Sequence, residues 1–174
     1  MRIAHRIIGL TLLALAVSGC GMQRTADFEL VLYQGADALG GESVTFSKVL
    51  AQGKPVVLVM WASSCPSCLT DMVLLQEASI DYGGEVLFVG LHIGHFVNLG
   101  TEEGALAFLE DEGITFPNGF TPEVSVVREY EVLEVPSIYY IKPNGRILEQ
   151  TYGLVREDDL RERIDKLIGA SGGH

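Results

Sequence analysis

The sequence predicts an α/β fold in which helices flank a central mixed β-sheet. Three observations support this fold class. The unbroken apolar run at residues 56–61 is typical of a central strand that is covered on both faces. An amphipathic stretch follows at residues 69–80, which predicts a helix packed on that strand. The predicted packed face consists of Leu69, Met72, Val73, Gln76 and Ile80. Near the end of the chain, Asn144-Gly145 separates two strand-like segments, which predicts a tight antiparallel hairpin.

The other elements are predicted from similar patterns, in chain order. Two short strands with a glycine-rich connection predict an N-terminal β-hairpin extension. A helix capped by Thr101 and a short extended piece predict an α-β insert over residues 101–117. The predicted strands are residues 28–32, 43–46, 56–61, 85–91, 137–141 and 146–150, and the predicted helices are residues 47–51, 69–80, 101–113, 122–130 and 157–168.

The first 19 residues have the features of a lipoprotein signal peptide. Arg2 and Arg6 precede an apolar run at residues 7–17 that is too short to cross a bilayer. The sequence Val-Ser-Gly-Cys that ends at Cys20 resembles the lipobox of bacterial lipoproteins, whose cysteine is lipidated and begins the mature chain. We therefore predict an extracytoplasmic protein that is anchored to a cell-envelope membrane through lipid on Cys20.

The remaining chain is predicted to form one domain. We expect a tether over residues 20–27, the folded domain over residues 28–168 and a flexible tail over residues 169–174. The formal charge of the whole chain is −11, and it becomes −13 when the two arginines of residues 1–19 are removed. Such an acidic surface excludes nucleic acid as a partner and is repelled by anionic lipid headgroups.

Cys65 and Cys68 form the predicted reactive centre. The pair lies between the predicted strand at residues 56–61 and the predicted helix that follows, so it stands at a helix start. Unpaired backbone N–H groups and the helix dipole stabilise a thiolate there and lower its pKa below the usual value of about 8.5. Pro66 suits the first helical position. Cys65 is therefore the predicted nucleophile, with Cys68 one turn inside the helix.

Together these features resemble the thioredoxin superfamily, and within it the membrane-tethered thiol-disulfide oxidoreductases of the TlpA/ResA type. The resemblance covers nearly all of residues 28–168. It rests on Trp-Ala-Ser-Ser-Cys-Pro-Ser-Cys at residues 61–68, on the insert, and on Val-Pro-Ser at residues 135–137 before the Asn-Gly hairpin. It implies a thioredoxin-like fold and a redox-active Cys65–Cys68 disulfide that works without a further cofactor.

The resemblance also implies how partners bind. Val135-Pro136 would be a cis peptide bond facing the dithiol, and the Val135 backbone would bind an extended partner segment as an added strand. Trp61 and Pro66 would complete this substrate-binding surface. The implied partners are disulfide-bearing exported proteins and a membrane thiol reductant that supplies electrons. The implied task is disulfide reduction during cytochrome c or oxidase maturation.

Ser64 and Asp71 depart from the family pattern, and Val59 departs from that of cytoplasmic thioredoxins. Ser64 replaces an aromatic residue before the first cysteine, and Val59 replaces the buried aspartate of cytoplasmic thioredoxins. Asp71 stands where relatives often carry a glutamate. Two interpretations of Asp71 stay open. It is either a base that takes the proton of Cys68 from the same helix face, or a solvated residue that favours the N-terminal half of the helix.

Other functions are open as well. Cys65 and Cys68, with His92 or His95, could hold Cu(I), since soft thiolates favour that ion. Copper carriers on this fold usually space their cysteines one residue further apart, and the two histidines lie on a segment predicted to be extended, where they point to opposite faces. We therefore predict no metal site. A non-catalytic thioredoxin-like binding lipoprotein is the second alternative, and Ala62 argues against a peroxiredoxin, which places threonine or serine there.

Overall fold

A computed structural model describes residues 23–172. The predicted signal peptide over residues 1–19 and the predicted lipidation site Cys20 lie outside this range. Within it, no helix combines the length and the apolar character that crossing a bilayer requires. The elements are β1 Glu29–Gln34, α1 Ala36–Leu39, β2 Ser43–Thr45, α2 Phe46–Leu50, β3 Val56–Trp61, α3 Pro66–Tyr82, β4 Leu87–His92, α4 Gly94–Val97, α5 Glu102–Asp111, β5 Asn118–Phe120, α6 Ser125–Glu129, β6 Ser137–Ile141, β7 Ile147–Tyr152 and α7 Glu157–Ser171.

One mixed sheet contains all seven of these strands, in the order β2-β1-β5-β4-β3-β6-β7. Strand β3 pairs in parallel with β4 and antiparallel with β6. All six residues of β3 are buried. This confirms the central strand predicted from the unbroken apolar run, because a strand covered on both faces has no polar side to present. The predicted fold class, a mixed sheet flanked by helices, is confirmed.

Two apolar layers cover the two faces of the sheet. Helices α3, α5 and α7 cover one face, and this layer includes both cysteines. Helices α1, α2 and α6 cover the other face. Large buried side chains of the first layer are Trp61, Met72, Leu75, Tyr140 and Ile164, and those of the second are Leu30, Phe46, Leu58, Tyr130 and Tyr139.

The N-terminal hairpin is confirmed, with two additions. Strand β1 pairs antiparallel with β2, as predicted, but the glycine-rich connection contains the short helix α1. Strand β1 also pairs antiparallel with β5, which lies at Asn118–Phe120 and therefore just beyond the extended piece predicted at residues 114–117. The insert thus joins the N-terminal hairpin to the central sheet.

Helix α3 is longer than predicted and packs through a different set of residues. It begins at Pro66 with Cys65 as its N-cap, which confirms the predicted helix start. Ile80, which we predicted on the packed face, is 73% exposed. The packed face of α3 contains Cys68 and the acidic residue Asp71, so it does not form an apolar stripe in the sequence. Its buried residues are Cys68, Asp71, Met72, Leu75 and Ala78.

Residues 23–27, predicted as part of a tether, are bound to the fold. The Tyr130 hydroxyl donates a hydrogen bond to the Ala26 carbonyl oxygen at 2.8 Å. The Asp27 carboxylate accepts hydrogen bonds from the backbone N–H and the hydroxyl of Ser47, both at 2.8 Å. The tether prediction is therefore wrong for these residues, because their polar groups are used in tertiary hydrogen bonds.

Helix α7 ends later than predicted. It continues to Ser171, three residues beyond the predicted end at Ile168. Its buried residues Leu160, Ile164 and Leu167 follow the i, i+4, i+7 spacing that holds a helix against a sheet. Residues 169–171 of the predicted flexible tail are therefore helical, while residues 173–174 lie outside the described part of the chain.

We predict that Tyr130→Phe lowers the free energy of unfolding by about 1 kcal/mol, because the Ala26 carbonyl loses its buried donor. Urea unfolding measures this change. Tyr33→Phe is the matched control, since the Tyr33 hydroxyl is buried without a hydrogen-bond partner among residues 23–172. An equal loss in both variants would show that the Tyr130 hydroxyl contributes nothing specific.

Candidate active site

The two cysteines form a disulfide at the start of α3, with their Cα atoms 5.2 Å apart. The Cys65 sulfur accepts a hydrogen bond from the Cys68 backbone N–H at 3.2 Å and lies 3.3 Å from the Ser67 hydroxyl oxygen. In the reduced protein, these donors and the helix dipole would stabilise a Cys65 thiolate. Cys65 is 7% exposed and Cys68 is fully buried. A reacting group from solvent therefore meets Cys65 first.

The loop before β6 faces the disulfide. The Val135-Pro136 peptide bond is cis, which confirms the prediction. The Val135 carbonyl oxygen lies 3.6 Å from the Cys65 sulfur. The Pro136 carbonyl accepts a hydrogen bond from Gly153 N–H at 2.8 Å, which fixes the loop to the end of β7. Among residues 23–172, no group accepts a hydrogen bond from the Val135 backbone N–H.

Trp61 and Pro66, both predicted to contact substrate, lie in different surroundings. The Trp61 side chain is fully buried and packs against the rings of His92 and Phe108, at centroid distances of 5.2 and 5.6 Å. Because it has no surface to offer a partner, the predicted substrate contact of Trp61 is wrong. Its place is under the reactive loop. Pro66 is exposed and borders an open hollow next to Cys65.

Asp71 is fully buried on the same face of α3 as Cys68, one turn further along. Its two carboxylate oxygens accept hydrogen bonds from the Val155 backbone N–H at 3.2 and 3.3 Å. Burial raises the pKa of this carboxyl to about 6, and the bond from Val155 opposes part of that rise. The solvated interpretation of Asp71 is therefore wrong. A carboxyl with such a pKa can hold or release a proton near neutral pH.

His92 is a buried residue whose role our sequence analysis missed. It ends β4 directly opposite Trp61 of β3, and its Nε2 accepts a hydrogen bond from the Ser63 backbone N–H at 3.3 Å. Burial, with a smaller contribution from nearby His95, lowers the pKa of His92 to about 4. The ring is therefore neutral at pH 7. His92 thereby fixes Ser63, two positions before Cys65. The signal for this role is the parallel pairing of β3 with β4, which places the last residues of the two strands side by side.

Two further hydrogen bonds bind the reactive loop to the segment after β4. The Ser64 N–H donates to the Leu99 carbonyl at 3.0 Å, and the Ser63 hydroxyl donates to the Thr101 carbonyl at 3.1 Å. Gly100 has φ +113°, and a Cβ at this position would lie 2.9 Å from the Ser64 nitrogen. Only glycine allows this close approach. Residues 93–101 therefore support the loop that presents Cys65.

The two histidines are arranged differently from the prediction. His95 lies on the short helix α4 rather than on an extended segment, and its ring centroid is 6.3 Å from that of His92. The buried Nδ1 of His92 has no hydrogen-bond partner among residues 23–172, whereas its Nε2 accepts from the Ser63 N–H. Across residues 23–172, no three histidine, cysteine or acidic side chains cluster as potential metal ligands. The predicted placement of both histidines on one extended segment is therefore wrong, because His92 ends β4 and His95 lies on α4.

We predict that Asp71→Asn stabilises the oxidised protein at pH 7.5 by roughly 3 kcal/mol at most, and that the gain disappears near pH 4. The folded-state pKa of about 6 is above the ordinary value of 3.8. The folded protein thus holds this proton more tightly than the unfolded chain does. The stability contributed by Asp71 is present below pH 4 and is lost as the pH rises through 6.

Chemical unfolding at several pH values gives the difference between Asp71→Asn and the wild type. Asp165→Asn, which changes an exposed carboxyl of α7, is the matched control for replacing a carboxyl with an amide. A difference for Asp71→Asn that stays constant between pH 4 and 7.5 would contradict the raised pKa.

For His92, we expect His92→Leu to increase hydrogen exchange at the Ser63 amide about tenfold, because the amide loses its acceptor. His92→Gln retains an acceptor and should restore part of the protection. Exchange is measured by NMR, with the Lys142 amide, which donates to the Arg146 carbonyl, as the internal reference. Unchanged protection of Ser63 in His92→Leu would exclude the positioning role.

Comparison with known proteins identifies the family. A model of the AhpC/TSA family matches residues 22–150. A relative named thiol-disulfide oxidoreductase ResA from Oceanobacillus iheyensis is 32% identical over 119 residues, which are 67% of this chain and 58% of that protein. The chain therefore matches less than two thirds of that relative's length. The thioredoxin-like protein YneN of Bacillus subtilis is 23% identical over 82% of this chain and 78% of its own.

Solved structures share the fold. StoA from Bacillus subtilis superimposes with a TM-score of 0.63 at 18% identity, over 80% of this chain and 96% of StoA. A Chlorobium tepidum protein assigned as the thiol:disulfide interchange protein DsbE gives a TM-score of 0.69 at 24% identity, over 84% and 96% of the two chains. The thioredoxin-like fold is thus confirmed. The chain belongs to the AhpC/TSA family, and it is similar to the thiol-disulfide oxidoreductases named ResA.

Proposed function

We propose that the protein is an extracytoplasmic thiol-disulfide oxidoreductase that reduces disulfides in exported proteins. The arrangement of its two sulfurs carries this proposal. Cys65 is 7% exposed at a helix start, where donors can stabilise a thiolate, and Cys68 is fully buried. This is the order that two-step thiol-disulfide exchange requires. The name thiol-disulfide oxidoreductase carried by the ResA relatives supports the same chemistry.

The first step is attack by the Cys65 thiolate on a partner disulfide. A mixed disulfide forms between Cys65 and one partner cysteine, and the other partner cysteine leaves as a thiolate that takes a proton. Cys68 then attacks the Cys65 sulfur, and the second partner cysteine leaves. The partner has gained two electrons and two protons, and the protein has become the Cys65–Cys68 disulfide.

We assign Asp71 the role of proton acceptor for Cys68. Cys68 must lose its proton before it attacks, and it is fully buried, so water is not at hand to take it. Asp71 shares its helix face one turn away and has a pKa of about 6. A base with a pKa near the working pH combines a useful ionised fraction with adequate basicity. Asp71 therefore takes the part that valine at position 59 cannot.

Partner binding uses the backbone of the loop that faces the disulfide. The Val135 N–H has no acceptor among residues 23–172, and the Val135 carbonyl lies next to the reactive sulfur. An extended partner segment can pair with these groups as an added strand. This places a partner cysteine over Cys65, with Pro66 at the edge of the contact.

The cellular setting is the envelope. Lipid on Cys20 would hold the protein at the membrane, where a membrane thiol reductant returns electrons to the Cys65–Cys68 disulfide after each cycle. Cytochrome c or oxidase maturation is the task we propose for this reducing activity. Both processes require reduced thiols outside the cytoplasm, where no general thiol pool maintains them.

We predict that Cys68→Ser accumulates a mixed disulfide between Cys65 and its partner, because the resolving thiol is absent. The measurement exposes the reduced variant to the organism's exported proteins and identifies disulfide-linked products by non-reducing electrophoresis and mass spectrometry. Cys65→Ser is the matched control and should give none of these products. Equal trapping by both variants, or by neither, would contradict the proposal.

The midpoint potential of the Cys65–Cys68 pair tests the direction of transfer. A reductase should have a potential near or below about −230 mV, toward that of thioredoxin. A potential near about −120 mV would make the protein an oxidant, like DsbA, and would overturn the reducing direction while leaving the exchange chemistry intact.

A further inference from the structure

An open hollow of about 410 Å³ begins at the reactive sulfur. Cys65 and Pro66 form one end, and the loop before β6 forms one wall. The opposite wall comes from the segment between β4 and α5, which also supports the reactive loop. Apolar side chains dominate these walls, namely Val97, Leu99, Val132 and Leu133. A side chain next to a partner's reacting cysteine would enter this hollow.

A second hollow, of about 690 Å³, adjoins the first along α6. Val132 and Leu133 line both hollows, so they form the boundary between them. Val124 and Val127 provide the apolar surface of the second one. We call the combined surface of Val97, Leu99, Val124, Val127, Val132 and Leu133 the apolar channel. It leads from the disulfide over α6.

The exposure of these residues is unusual for this protein. Six large apolar side chains are exposed among residues 23–172, and three of them line the apolar channel. Leu133 is 79% exposed, Val124 is 63% exposed and Leu99 is 37% exposed. Contiguous exposed apolar surface of this kind marks binding sites in soluble domains. Leu133 in particular projects where the two hollows meet.

Charge decides which occupant fits. Glu134 lines the first hollow and Glu131 lines the second, together with Arg128. The chain as a whole has a formal charge of −11. An anionic lipid surface and a second copy of this chain would both meet like charge. A polypeptide that carries basic residues beside apolar ones is complementary, and the channel starts where its cysteine must react.

We propose that the apolar channel selects the partner. It favours disulfide-bearing polypeptides whose reacting cysteine is followed or preceded, within about four residues, by large apolar side chains and a basic residue. This inference rests on the proposed exchange reaction at Cys65. The channel binds the flanking segment before and during attack, which raises the rate of mixed-disulfide formation for matching sequences.

Two synthetic peptide disulfides test the selection. Each is a symmetric dimer of one cysteine peptide with the same number of lysines; one peptide has leucines two and four residues from the cysteine on both sides, and the other has serines. The reduced full-length protein reacts with each dimer, which yields two peptide thiols and the oxidised protein. We expect the leucine peptide to react roughly tenfold faster, the range that one well-placed apolar group provides.

Leu133→Ser should reduce the ratio of the two rates toward one, and Val124→Ser should reduce it less, because Val124 lies further from Cys65. The ratio compares two peptides on the same variant, so it cancels any change in sulfur reactivity. Ile80→Ser is the matched control: Ile80 is 73% exposed on α3 and lies outside the channel, so the ratio should be unchanged.

Glutathione disulfide separates failure of this inference from failure of the proposed function. If the wild type does not react with glutathione disulfide, the exchange reaction itself is wrong. If the wild type reacts with glutathione disulfide but reduces both peptide dimers at equal rates, only the inference about the apolar channel is overturned. A preference that survives Leu133→Ser, or one that Ile80→Ser removes as well, would also overturn it.

Discussion

The parallel pairing of β3 with β4 is the constraint on which the rest of the site depends. It brings Trp61 and His92, the last residues of the two strands, side by side. The reactive loop then starts at one strand end, and its amide hydrogen-bonds to the histidine at the other. The start of α3, the position of Cys65 and the packing beneath the disulfide all follow from this register. A slip of β4 by one residue would turn His92 to the other face of the sheet, away from Trp61.

Two buried titratable groups, Asp71 and His92, change the stability of the fold with pH in opposite directions. Burial favours the protonated form of Asp71, which accordingly stabilises the fold most at low pH. Burial also favours the neutral form of His92, whose contribution is present above its ordinary pKa of 6.5 and is lost as the pH falls through about 4. Their effects partly cancel between pH 4 and 6.5, so the domain holds both buried groups without a steep loss of stability in this range.

The structural elements that the sequence predicts correctly are those determined by local sequence. The buried run of β3, the Cys65 cap with Pro66 and the Asn-Gly hairpin each depend on neighbouring residues, so the sequence alone predicts them. Long-range effects were missed. The burial of Asp71 depends on Val155, which is distant in the chain, and Ile80 loses its packed position because Cys68 determines the buried face of α3. The role of His92 requires knowing which strands are neighbours.

If Cys20 carries the proposed lipid, the hydrogen bonds of the first described residues would set the orientation of the domain at the membrane. The backbone of Thr25 binds that of Gly145 in the turn between β6 and β7, whereas the disulfide lies near Ser137 at the opposite end of β6. With lipid on Cys20, the few residues before Thr25 allow a reach of at most about 20 Å. The anchor and the reactive sulfur would then be at opposite poles, so Cys65 would point away from the bilayer, and a membrane reductant would need a domain that projects as far as the sheet is long.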